Sequence, residues 1–413
     1  MAYESLITLF NRNRSSSRYT KVEQEARRRL HDDSAFRTGI MLEHGELFFT
    51  VPSELTVLME RVLRVERKVS HLWRDLPIIA QRSYILGLII NEVVSSNEME
   101  GIDSTRKQIE DALKSIAADT PSREQRRFRE FTSLYLGMTE PGGEFPKSPA
   151  DIRAIYDKVV AGELEEADRP DGELFRREGV DIVTTGHSVV HRGVVPESAI
   201  IEMLAALIAM TVREDIPALY GALLAHFVFE YVHPFYDGNG RTGRYLLALY
   251  LARPLSLPTV LSLSRTIADN KSSYYRTFRE LEDPVNHAEA TIPLIKMMEL
   301  LRLAQEYVLE DLEAKRAAME YAQQAIRSIA GLSSGALSVL GTIAYIELFT
   351  TFESESIHSI AHYAKLSTVT ARKYTRELEA AGYLIVLSQR PLMFSLSDAA
   401  RVALRIPYNL ARP

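Results

Sequence analysis

At 413 residues the chain is too long for one ordinary core and suits two or three domains of about 150 residues each. Hydrophobic residues make up 46% and charged residues 25%, a globular balance, and the net charge of −6 leaves any nucleic-acid contact to a local basic face. The absence of cysteine excludes disulfides, thiolate metal sites and a cysteine nucleophile. The opening Met1-Ala2-Tyr3-Glu4-Ser5 lacks the layout of a signal peptide, and apolar stretches such as Met203–Met210 and Leu246–Leu251 fall short of a bilayer span. The expectation is a soluble, cytoplasmic protein with no membrane contact.

Residues 1–50 give no clear period. Arg12–Arg18 reads as a basic segment and Arg27-Arg28-Arg29 as a charged, solvated helix face. From Ser53 the helical period takes over, with Leu55, Leu58, Val62 and Val65 at three- and four-residue steps. A second apolar helix covers 78–97, with Ile85, Leu88, Ile89 and Val93 on one face, and further helices cover 104–117 and 122–138. Pro141-Gly142-Gly143 breaks the pattern and Ser148-Pro149 opens a capped helix.

Residues 179–183 and 188–192 flank Thr184-Thr185-Gly186-His187 and predict a hairpin. His187 and His191 would stand about 13 Å apart on a strand, too far for a shared metal, and read as polar hairpin residues. Helices over 196–212 and 216–231 follow, the second leading into a glycine-rich loop.

Beyond a charged helical linker (296–330), helices over 334–349, 355–364 and 367–381 are followed by strands over 383–387 and 392–396, the order of a winged helix-turn-helix. Arg372, Lys373 and Arg376 on the third helix and Arg390 in the wing could meet DNA phosphates. Glu377 and Glu379 dilute that charge, and winged helices also bind proteins.

The loop His233-Pro234-Phe235-Tyr236-Asp237-Gly238-Asn239-Gly240-Arg241-Thr242-Gly243-Arg244 concentrates residue types that suit phosphate chemistry. Gly238, Asn239 and Gly240 permit a sharp bend and close backbone approach at a helix N-terminus, where free N–H groups attract anions. Arg241 and Arg244 stand about one turn apart, so both guanidiniums can face one polyphosphate. Asp237 offers a hard oxygen ligand for Mg²⁺, His233 a proton acceptor of suitable pKa, and Phe235 an apolar pin.

The run fills every defined position of His-x-Phe-x-(Asp/Glu)-Gly-Asn-(Gly/Lys)-Arg-x-x-Arg, and so resembles the Fic family over roughly residues 50–300. The resemblance implies a protein adenylyltransferase using ATP and Mg²⁺. His233 would be the general base for a Ser, Thr or Tyr hydroxyl of a target protein, and Asp237 the metal ligand. Gly238, Asn239 and Gly240 would form the anion hole, with Arg241 toward the β-phosphate and Arg244 toward the γ-phosphate. Lysine replaces Gly240 in the phosphoryl-transferring Doc-like branch, so Gly240 favours nucleotidyl transfer. Tyr274-Tyr275 resembles an aromatic pair near the nucleotide, with Tyr275 as the candidate contact.

Ser96-Asn97-Glu98-Met99-Glu100-Gly101 fits the family's inhibitory pattern (Ser/Thr)-x-x-x-Glu-(Gly/Asn). Ser96 and Glu100 share a helix face, and Glu100 is expected to form a forked pair with Arg244 that blocks the γ-phosphate. Orienting a water for AMP removal is a second role left open for the same glutamate.

The expected fold is mainly α, with a Fic-type helical core, a hairpin flap and a C-terminal winged helix. The expected parts are a brake-bearing region (1–120), the core (121–295), the linker (296–330) and the winged helix (331–413). Self-modification and homo-oligomers are expected, and a DNA-binding winged-helix regulator with a regulatory Fic domain is the alternative function.

Overall fold

The computed structural model describes residues 3–116, 128–140, 144–183, 189–349 and 355–407. Helices α1 (Leu6–Arg12) and α2 (Arg18–Leu30) precede an antiparallel hairpin of β1 (Ala35–Leu42) and β2 (Gly45–Thr50). Strand β2 was not legible because Leu47, Phe48 and Phe49 are buried in succession, and β1 because its alternation buries Thr38 and exposes Met41. Arg29 departs from the solvated face expected of Arg27–Arg29. It is buried and paired with Glu25 and Glu289, both at 2.9 Å.

Helices α3 (Ser53–Asp75), α4 (Ile78–Met99), α5 (Arg106–Ile116), α6 (Arg129–Gly137) and α7 (Pro149–Val159) follow. Residues 122–127 of one expected helix, and the breaker at 141–143, lie outside the described residues. Ser148 and Asp151 form a reciprocal capping box at the start of α7. The hairpin is β3 (Asp181–Val183) with β4 (Val189–Arg192), antiparallel, and its turn, including His187, lies outside the described residues.

Next come α8 (Glu197–Met210), α9 (Ala218–Val232), α10 (Asn239–Leu251), α11 (Leu257–Val260), α12 (Leu263–Asp269), α13 (Lys271–Glu282) and α14 (Thr291–Arg327). Helix α9 is apolar on all sides and α10 is buried at every residue but Gly240, so the pair forms a central core. By length and apolar content α4 passes as a bilayer span, contrary to the shorter runs counted in the sequence. However, 61% of its apolar window is buried within the protein, and Glu92, Ser95, Ser96 and Asn97 are buried along it, as in a core helix.

The chain ends with α15 (Ser334–Phe349), β5 (Glu355–Ser356), α16 (Ile357–Tyr363), α17 (Thr368–Ala380), β6 (Leu384–Gln389), β7 (Leu392–Leu396) and α18 (Asp398–Leu404). The strands make an antiparallel sheet in the order β5-β7-β6. Strand β5 occupies residues expected to be helical, because Ser356 caps Ser359 N–H and so starts α16 only at Ile357. Glu347 of α15 accepts from the Leu396 N–H at 2.6 Å and the Ser395 hydroxyl at 3.1 Å, fastening that helix to β7.

By packing, the chain divides into two compact units, residues 1–66 with 89–306 and residues 67–88 with 307–413. Boundaries drawn at 120, 295 and 330 follow chain order. Packing instead places the N-terminal hairpin with the α9–α10 core, and α3, α4 and α14 each contribute to both units.

Candidate active site

The loop between α9 and α10 is bent by its own residues. His233 ends α9 in the left-handed region (φ 49°), its N–H still bonded to the Phe229 carbonyl at 3.0 Å. Gly238 is left-handed as well (φ 79°), and a Cβ there would run into Val160 and Tyr156, so only glycine fits. Phe235 is fully buried, stacked on Tyr156 with centroids 3.5 Å apart. The Asn239 amide donates to the Phe235 carbonyl (2.8 Å) and accepts from its N–H (3.0 Å), closing the loop on itself. Asn239 therefore brings its backbone N–H, rather than its side chain, to an anion at the start of α10.

The loop is also held from outside by Arg176, which nothing in the sequence singled out. Its guanidinium donates to the carbonyls of His233 (2.8 Å), Glu178 (2.7 Å), Val194 (2.9 Å) and Val232 (3.2 Å). Gly193 leaves the room, since a Cβ there would collide with Arg176.

A cavity of about 660 Å³ opens beside the loop, lined among others by His233, Gly240, Arg244, Glu100, Tyr275 and Glu230. Burial, reinforced by the positive His191, pushes the His233 pKa down to about 4, so the ring is neutral at pH 7. Its Nδ1 has no hydrogen-bond partner among the described residues. His191 lies on the opposite hairpin, with Nε2 donating to the Tyr231 carbonyl (2.6 Å) and Nδ1 at 3.0 Å from Glu282. Burial works against its charge, but Glu282 outweighs burial and raises the pKa.

Arg244 is buried, 2% exposed at its side chain, and is held by the end of α4. Its Nε donates to Ser96 Oγ (3.0 Å), and its Nη2 to the Ser96 carbonyl (2.8 Å) and to Glu100 (2.8 Å). The expected fork between Glu100 and Arg244 is thus a single bond. Ser96 already holds the other edge of the guanidinium, because Glu100 lies just past the end of the helix. There Gly101 is left-handed (φ 70°), and the N–H groups of Gly101 and Ile102 return to the carbonyls of Glu98 and Asn97, a Schellman cap. Burial disfavours the Arg244 charge, yet Glu100 and other acidic neighbours keep its pKa above the ordinary value.

Arg241 does not share the cavity. It is buried and paired with Glu163, because the first turn of α10 points it toward the loop after α7. The two guanidiniums are held by different partners, Glu163 for Arg241 and Ser96 with Glu100 for Arg244. Asp237 is exposed on the loop. Tyr275 is 40% exposed on the cavity wall, while Tyr274 is buried with its hydroxyl 2.7 Å from His226 Nε2.

Sequence reasoning missed a layer of buried groups behind the wall. Burial lifts the Glu92 carboxyl to about 7 and the Glu230 carboxyl to about 8, with Arg244 opposing both, while burial and Arg244 push His226 down to about 3. Lys271 of α13 donates to the Met99 carbonyl at 3.2 Å, capping the end of α4. Only the i, i+4 spacing of His226 and Glu230 one turn before the loop hinted at any of this.

Residues 146–251 match the family model described as the Fic/DOC family. Among solved structures, the chain is similar to a Fic family protein from Desulfovibrio desulfuricans G20, at 18% identity and a TM-score of 0.51 over 85% of this chain and 98% of that chain. A Fic domain containing signaling protein from Bacteroides thetaiotaomicron VPI-5482 aligns at 16% identity and a TM-score of 0.47, over 62% of this chain and 97% of that one. Fic-1 (residues 134–508) from C. elegans aligns at 17% identity and a TM-score of 0.46, over 63% and 73%. The first likeness is one of fold, and the segment similar to the Fic/DOC family spans α9, the loop and α10.

Proposed function

We propose that the protein transfers AMP from ATP to a serine, threonine or tyrosine hydroxyl of a protein, under restraint from Glu100. Fic-domain proteins generally transfer a nucleoside monophosphate to proteins, which supports a reaction of this class. The observation that carries the reading is one cavity lined by a neutral His233, the Gly240 backbone and the Arg244–Glu100 pair.

In this reading His233 accepts the proton of the incoming hydroxyl, whose oxygen bonds to the α-phosphorus of ATP as the bond to the β-phosphate bridging oxygen breaks. AMP stays on the protein and pyrophosphate leaves. The first-turn N–H groups at 238–240 receive the α-phosphate charge, and Arg244 that of the terminal phosphates once Glu100 releases it. Asp237 fits a Mg²⁺ ligand, being an exposed hard carboxylate beside this anion site, and Mg²⁺ typically completes its shell with phosphate oxygens and water. Bound there, the ion would neutralise charge on the phosphates. Arg241, engaged by Glu163, serves the loop from below and meets phosphate only if that pair opens.

Incubation with ATP radiolabelled at the α-phosphate, with Mg²⁺, tests the reading. Label on protein that vanishes in His233→Ala supports it. Label from γ-labelled but not α-labelled ATP would replace AMP transfer by phosphoryl transfer. Label that wild type removes and Glu100→Gly does not would assign Glu100 the further role of orienting water for AMP removal.

A further inference from the structure

Helix α17 turns Ala371, Thr375 and Leu378 into its own unit, where all three are buried. The opposite face carries Val369, Arg372, Lys373 and Arg376, spaced at three- and four-residue steps and all exposed, with Val369 79% exposed. Lys365, in the turn that leads into the helix, is exposed as well. Arg390 is exposed in the turn between β6 and β7, and β6 packs against α17. Among the described residues no ion pair holds Arg372, Arg376 or Arg390, and Lys373 lies against the ring of its neighbour Tyr374.

The two acidic residues of this helix sit toward its C-terminal half, Glu377 four residues after Lys373 and Glu379 three after Arg376. Glu377 accepts from the N–H (2.6 Å) and hydroxyl (2.8 Å) of Ser333 and so caps the start of α15. Glu379 sits at the far, C-terminal end of α17. The forward half of the helix therefore presents positive charge around an exposed apolar side chain.

We propose that this face of α17, with Arg390 of the β6–β7 turn, is a docking surface for duplex DNA. A helix fits the major groove, guanidinium and ammonium groups meet phosphates or base edges, and Val369 suits a thymine methyl. The helix follows a short turn after α16, the placement of the recognition helix in a helix-turn-helix. The net charge of −6 repels a polyanion elsewhere, so binding has to come from a local face such as this one.

The test is fluorescence anisotropy of the full chain with a labelled mixed-sequence duplex over a salt series. With four phosphate contacts, the slope of log K against log salt is about −3 to −4, and the combined Arg372→Ala, Lys373→Ala and Arg376→Ala variant flattens it by about 3. Its thermal unfolding, matched to wild type, shows that the exposed changes leave the fold intact. No binding at low salt overturns the proposal and leaves the face to a protein partner. An unchanged slope in the triple variant, or single-stranded DNA bound as tightly as duplex, overturns it too.

Discussion

Arg244 meets Ser96 through two hydrogen bonds and Glu100 through one, so the end of α4 grips the guanidinium mainly by the serine and closes it with the carboxylate. Glu100 also stands where Gly240 leaves space, since a Cβ at Gly240 would strike its carboxylate. The carboxylate thus covers both the arginine and the backbone proposed to receive ATP phosphates. Replacing Glu100 with glycine removes one charge-assisted bond of about 1.5–3 kcal/mol, which corresponds to roughly a ten- to hundredfold rise in self-labelling. The Schellman cap depends on Gly101 and backbone atoms, so the helix end should survive the change. Equal labelling of wild type and Glu100→Gly would remove the brake.

Ser96→Ala separates the grip from the cover. The variant loses the Nε bond, which the charged guanidinium also strengthens, but keeps the Ser96 carbonyl and the Glu100 contact. Labelling should rise but stay below that of Glu100→Gly, because the carboxylate still covers both Arg244 and Gly240. A larger rise than Glu100→Gly would make the serine, rather than the carboxylate, the principal restraint.

His233→Ala should lower AMP transfer by the roughly 10²–10⁴ assigned to a positioned general base. With its pKa pushed down to about 4, the imidazole stays neutral through pH 5–8. The acid limb of kcat/KM should therefore lie well below the ordinary histidine value of 6.5. An acid limb at 6.5 or above would show that the ring is not held neutral by burial in the free enzyme.

The loop was legible because each of its residues answers to a local requirement, and the structure meets most of them with short-range contacts. Phe235 and Asn239 bond and pack within the turn, and Gly238 takes the positive φ that its neighbours demand. Helices α3 and α4 were legible from their apolar period and α9 from its long apolar run, while α2 hid a buried Arg29 whose partner, Glu289, lies 260 residues away. What stayed hidden was long-range. Arg176 lies 57 residues before the His233 carbonyl it holds, and Glu163 lies 78 residues before Arg241, with no period or motif linking either pair. The ion-pair partner of Arg241 was hidden for the same reason, since helical spacing states which residues share a turn but not what stands opposite them.

Arg241 should accordingly behave as a structural residue as well as a loop residue. Removing one partner of a buried ion pair typically costs about 3–5 kcal/mol. Arg241→Ala should lower the thermal midpoint clearly, and Glu163→Gln, which keeps a hydrogen-bonding side chain, by less. An Arg241→Ala protein as stable as wild type would mean that the pair contributes nothing to the fold.

Glu230 makes the alkaline side of the stability profile testable. Burial pushes its carboxyl up from 4.5 to about 8, with Arg244 opposing and Glu100 adding to the rise. The folded state therefore holds a proton that the unfolded chain releases, and stability falls as pH rises from about 4.5 to about 8. Glu92, lifted to about 7, contributes in the same direction over the lower part of that range. His226 and His233 act oppositely, because their lowered values make stability rise with pH up to about 6.5. Above pH 7 both histidines are settled and Glu92 is completing its titration. Glu230 and the raised His191 then remain, both losing stability as pH rises. Unfolding free energies from urea titrations between pH 6.5 and 8.5 should fall more steeply for wild type than for Glu230→Gln, by up to about 1.4 kcal/mol per pH unit. Parallel profiles across that window would place the Glu230 proton outside the folded-state titration and leave His191 to account for the slope.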